Sequence, residues 1–196
     1  MSRYDARTAL VVVDMQNDFA DPAGGLSVAG GEDIVPAVND AIREATDGEA
    51  LVVATQDWHP ESTPHFAKDG GIWPVHCVGG TWGAEIHPRV ELPPAAPRVR
   101  KGANGEDGYS GFTMRDPTTG EETSTELESL LRDRDIERVV VCGLATDYCV
   151  KATALDALRL GFPVTLLGSA IRAVNLAFDD GDRALAEMEE AGATLA

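Results

Sequence analysis

At 196 residues, with 33 acidic against 16 basic residues and a formal net charge of −17, the chain is long enough to bury one substantial core and is repelled by nucleic acid and anionic membrane. Its three cysteines, Cys77, Cys142 and Cys149, are odd in number and lack framework spacing, which argues against a disulfide scaffold and fits a reducing cytoplasm. No Pro/Gly/Ser-rich linker divides the chain and no apolar stretch suits a signal sequence or membrane span, so a single soluble domain over residues 1–196 is expected.

Taken in order, Thr8 to Asp14 is a continuous apolar run that ends in a carboxylate, the pattern of a strand buried on both faces of a parallel sheet. Asp14 then stands at the strand's carboxyl end, where open α/β sheets keep their active sites, although an aspartate after a strand can also simply tie its loop. Asp33 to Ala45 carries apolar residues at helical spacing, and Leu51 to Asp57 repeats the buried strand with a terminal carboxylate. Trp58 to Pro97 is proline-rich, far longer than an ordinary connection, and holds all four histidines, His59, His65, His76 and His87.

Arg98 to Lys101 reads as a short third strand, followed by a polar, glycine-rich loop through Gly111 and Phe112. Ser124 to Arg132 has the spacing of a short amphipathic helix, with Thr123 or Ser124 as its cap. Val139 to Gly143 is a β-branched run that leads through a polar turn to Cys149 at the start of a helix, Val150 to Leu160, which Gly161 ends. Val164 to Leu167 is a fifth strand, Asp180 to Glu190 a last helix, and Ala193 to Leu195 a sixth, edge strand. Alternating strands and helices predict a three-layer α/β/α fold with a mainly parallel sheet of about six strands. Neither a Gly-x-Gly-x-x-Gly turn nor a Gly-Lys-Ser/Thr phosphate loop is present, which argues against a nucleotide-binding version of that architecture.

Asp14, Lys101 and Cys149 therefore stand at the carboxyl ends of three different strands. A thiolate at a helix start is stabilised by free N–H groups, which predicts a lowered thiol pKa and makes Cys149 the candidate nucleophile. Asp14 can accept the thiol proton and return it to a leaving amine, while Lys101 favours the thiolate. Backbone N–H groups between Gly143 and Cys149 can hold an oxyanion, typically worth about 3 kcal/mol per donor. The histidines beside Asp57 suit a catalytic divalent metal such as zinc, iron(II) or manganese; Cys77 is either a further ligand or buried packing. The residues alone point to cysteine-based acyl transfer beside a metal.

Several segments together resemble a known family: Asp14-Met15-Gln16-Asn17-Asp18-Phe19, Asp57-Trp58-His59 with His65-Phe66, Trp73-Pro74-Val75-His76-Cys77, Lys101-Gly102, Tyr109-Ser110-Gly111-Phe112 and Gly143 to Val150. They match, in order, the motifs of the isochorismatase-like cysteine hydrolases and, through the aspartate–histidine loop, of the nicotinamidases. The resemblance implies hydrolysis of nicotinamide, and of its analogue pyrazinamide, by an Asp14–Lys101–Cys149 triad through a thioester. It implies a metal held by Asp57, His59, His65 and His76, an aromatic ring pocket of Phe19, Trp73 and Tyr109, and a cis peptide before Ala145 that sets the Ala145 N–H beside that of Cys149 as an oxyanion hole. His87 is assigned to structure. A small-molecule substrate and no nucleic-acid or membrane partner are expected, in a monomer or a homodimer.

Overall fold

Within residues 3–196, which this computed structural model describes, eight strands form: β1 (Thr8–Val13), β2 (Leu51–Asp57), β3 (Arg98–Lys101), β4 (Thr113–Arg115), β5 (Glu122–Ser124), β6 (Arg138–Leu144), β7 (Val164–Arg172) and β8 (Thr194–Leu195). The helices are α1 (Asn17–Ala20), α2 (Val35–Asp47), α3 (Leu127–Arg132), α4 (Lys151–Arg159) and α5 (Asp180–Glu190). Six strands make one sheet in the order β3-β2-β1-β6-β7-β8, with every pairing parallel. Side chains alternate across it. Leu10 and Val12 pack with α2 on one face, whereas Ala9, Val11 and Val13 pack with α3, α4 and α5 on the other. The result is the expected three-layer α/β/α architecture, and among the described residues no helix is long and apolar enough to cross a membrane.

The central strands converge at their carboxyl ends because β6 passes very close to β1. Val13 is in register with Gly143, where φ is 112° and a Cβ would collide with the Val13 backbone. Only glycine fits there, and it lets the chain after β6 fold over the end of β1.

The structure differs from the sequence reading at several places. α2 begins at Val35, two residues after Asp33, because Glu32–Ile34 forms a tighter turn and Pro36 lies at the helix start. β7 runs past Leu167 to Arg172, because a register shift beside β6 lets Ile171 and Arg172 resume pairing with Gly143 and Leu144. Thr123 and Ser124 lie in β5 and cap nothing; the Thr125 hydroxyl instead accepts the Leu127 N–H at 3.1 Å. β4 and β5 form an antiparallel hairpin in a stretch to which the sequence reading assigns only the helix cap at Thr123 or Ser124. The Asp116 carboxylate builds its turn by accepting the Thr118 and Thr119 N–H groups.

Candidate active site

β1 stops at Asp14, whose backbone turns to a φ of 45°. Its N–H donates to the Thr55 hydroxyl at 3.2 Å, and its Oδ1 accepts that hydroxyl's proton at 2.6 Å. β3 lies two places from β1, a gap of ~10 Å that only a long, extended side chain crosses. Lys101 crosses it, wholly buried. Its Nζ lies 2.9 Å from Asp14 Oδ2 and 3.7 Å from Cys149 Sγ, contacts Asp57 Oδ1, and faces the Gly108 carbonyl at 3.4 Å. One ammonium therefore serves two carboxylates and a thiol, an arrangement a solvated surface lysine never has.

Burial sets the charges of this cluster. It pushes the Asp14 carboxyl up, with Asp57 adding and Lys101 opposing. Asp57 also suffers burial, but Lys101 and the neighbouring imidazoles outweigh it and hold the carboxylate well below the usual range. Lys101 remains firmly protonated because Asp14 and Asp57 overcome its own burial. The lowered thiol pKa expected from the helix start does not hold: burial raises Cys149 well above the ordinary value, both carboxylates add to this, and Lys101 offsets only part. A thiolate loses more on leaving water than a few N–H dipoles return. The thiol reaches this place through a cis Leu144–Ala145 peptide and a wide π-helical turn, Thr146–Val150, that runs into α4.

The histidine loop supplies the second half. β2 ends at Asp57, and His59 is drawn back beside it because its N–H donates to the Cys77 carbonyl. His59, His65 and His76 form one buried cluster, with ring centroids 4.8 to 5.3 Å apart. Asp57 Oδ2 lies 3.8 Å from His59 Nε2 and 3.9 Å from His76 Nε2, so Asp57 faces the lysine with one oxygen and the imidazoles with the other. His76 Nδ1 donates to the Pro74 carbonyl at 2.7 Å, and burial pushes this ring down to about 4, leaving it neutral. Both nitrogens of His59 are buried with no hydrogen-bond partner. Such orphaned nitrogens beside the neutral His76 ring and a carboxylate fit a divalent cation bound by nitrogen and oxygen.

His87 stands outside this cluster, 3.9 Å from Asp21. Cys77 is buried with its Sγ toward the Gly83 carbonyl, the packing alternative of the sequence reading.

Cys149 and the three imidazoles line one cavity of about 40 Å³. Phe19, Trp73 and Tyr109 lie in its wall, and the Trp73 indole N–H donates to the Tyr109 hydroxyl at 3.0 Å. Tyr148, which the sequence reading passed over, packs edge-on against both Trp73 and Tyr109.

Three supporting residues also escaped the sequence reading. Gln16 clamps Asp57 by donating to its carbonyl at 2.7 Å and accepting its N–H at 2.8 Å, and it donates to the Ala84 carbonyl as well. The Asp18 carboxylate accepts the N–H groups of Cys77 and Gly25. Asp107 Oδ1 lies 2.7 Å from His65 Nδ1. Gln16 and Asp18 lie within a motif already noticed, whereas nothing local marks Asp107.

The isochorismatase domain model matches residues 8–196. Nicotinamidase of Escherichia coli K12 is 39% identical over 95% of this chain and 93% of its own length. The pyrazinamidase of Pyrococcus horikoshii in complex with zinc is 44% identical, with a TM-score of 0.87 over 97% of this chain and 98% of that one. PnC1 from L. infantum in complex with nicotinate is 38% identical, with a TM-score of 0.88 over 98% and 94%.

Proposed function

The chain belongs to the isochorismatase family and within it to the nicotinamidase amidohydrolases, and on that premise we propose that it is a cytoplasmic, metal-dependent enzyme that hydrolyses nicotinamide, and also pyrazinamide, through a thioester on Cys149. The observation that carries this reading is the single Lys101 ammonium in contact with Asp14, Asp57 and Cys149, behind a cavity that Asp57 and Cys149 line together with the imidazole cluster.

The resting site has a neutral thiol and a carboxyl of raised pKa, so proton transfer to Asp14 accompanies attack on the amide. Cys149 Sγ bonds to the carboxamide carbon as its proton passes to Asp14. Asp14 then gives that proton to the amine, the C–N bond breaks and ammonia leaves a thioester. Water adds to the thioester as Asp14 takes its proton, and the C–S bond breaks to release nicotinate and restore the thiol. Lys101 keeps its charge throughout and holds Asp14 toward the sulfur. The N–H groups of Ala145 and Cys149 take the developing oxyanion, at about 3 kcal/mol per donor. Phe19, Trp73 and Tyr109 sandwich the flat ring. Asp57, His59, His65 and His76 would hold the divalent ion, which when bound supplies a Lewis-acid anchor for the ring nitrogen.

Ammonia release from nicotinamide tests the reading. The intact enzyme is expected to turn over, Cys149→Ala to lose at least ~10⁴-fold, and chelated protein to recover with zinc, iron(II) or manganese. Absence of release by the metal-loaded enzyme would reject nicotinamide as substrate.

A further inference from the structure

The polar loop before Tyr109 carries a contact that the proposed reaction leaves unused. His65 Nδ1 and Asp107 Oδ1 are 2.7 Å apart, with the imidazole buried and the carboxylate partly in water. An ionised carboxylate has no proton to donate, so a His65 ring that ligates a metal through one nitrogen would keep its hydrogen at Nδ1, against Asp107, and offer the Nε2 lone pair to the ion. His76 is set the same way by a neutral group, the Pro74 carbonyl. We propose that Asp107 is a positioning residue for His65 as a metal ligand: it selects the Nε2 tautomer, orients the ring and adds negative charge behind it. The inference rests on the metal reading above.

Asp107 is itself held from two sides. It exchanges both backbone hydrogen bonds with Arg115, so the β4–β5 hairpin sets where its carboxylate stands. The Thr63 hydroxyl donates to the Gly105 carbonyl at 3.1 Å and ties the loop of His65 to the loop of Asp107. The next two residues continue the pattern, since the Gly108 carbonyl faces Lys101 and the Tyr109 hydroxyl accepts from Trp73. Three consecutive residues thus serve the histidine cluster, the lysine and the aromatic wall. A merely structural ion pair with one partner 40% exposed contributes little to stability. Its loss would leave metal affinity alone, which separates the two roles.

The test titrates cobalt(II) into metal-free wild type, Asp107→Asn, Asp107→Glu and, as a control on the same loop, Glu106→Gln, following the visible bands and the dissociation constant. Asp107→Asn is expected to bind 10–100-fold more weakly with shifted bands, Asp107→Glu to recover most of the affinity, and Glu106→Gln to match wild type. Wild-type affinity and bands in Asp107→Asn would overturn the role of Asp107 and leave the metal reading standing. Failure of wild type to bind cobalt would overturn both. A measurement without variants guards against misfolding: nitrogen-15 NMR of zinc-loaded wild type is expected to show His65 protonated at Nδ1 and ligating through Nε2. A His65 ring that ligates through Nδ1, or not at all, overturns the proposal.

Discussion

The two halves of the site are held by different means. Lys101 closes β3, Asp14 directly follows β1, and Cys149 sits on the turn that leads from β6 into α4, so their meeting is a consequence of sheet order. The histidines lie on a long connection without a ladder, and a few polar side chains do the same work there: Gln16 on Asp57, Asp18 on Cys77, Asp107 on His65. A loop of that length can be as well placed as a strand end, but its placement hangs on individual polar contacts.

Breaking the strand-end half should have the largest effect. Lys101→Met leaves the Asp14 and Asp57 carboxylates buried without their cation, and loss of one partner from a buried ion pair costs about 3–5 kcal/mol. Urea unfolding should show that loss, together with the disappearance of nicotinamide turnover; a stable, active variant would mean the lysine is not the hub. Next comes the clamp of the other half. Gln16→Ala strands the Asp57 N–H and carbonyl and should cost on the order of 2–3 kcal/mol, with metal content falling more than the far-UV signal of the sheet.

A third comparison concerns the thiol. Because burial and two carboxylates raise its pKa, Cys149 should remain a neutral thiol through neutral pH. Its alkylation rate in the metal-free enzyme should therefore keep climbing roughly tenfold per pH unit up to pH 9. A plateau near pH 7 would restore the helix-start argument. The smallest change is expected at the fourth histidine. His87→Gln should cost about 1 kcal/mol or less and leave metal stoichiometry untouched, since His87 faces Asp21 and not the cluster.

Much of the fold was legible because buried parallel strands leave uninterrupted apolar runs. Thr8 to Asp14 and Leu51 to Asp57 announced both their strands and the carboxylates at their ends. The β4–β5 hairpin was not legible, for each arm is three residues long and β5 is fully exposed, without the apolar alternation that marks a strand. β7 was cut short at Leu167 because local pattern says nothing of a partner strand that restores pairing from Ile171 on.

The sequence by itself determined the alternation of strands and helices, the residue at each strand's carboxyl end, and the confinement of every histidine to one loop. These depend on local pattern and chain order alone. Only the tertiary structure decided that Lys101 spans two strand spacings to reach Asp14, that Cys149 is a thiol of raised pKa, and that Asp107 backs His65. Each of these depends on which distant segments pack together and how much water they exclude, and those quantities exist only once the sheet order has brought the loops into contact.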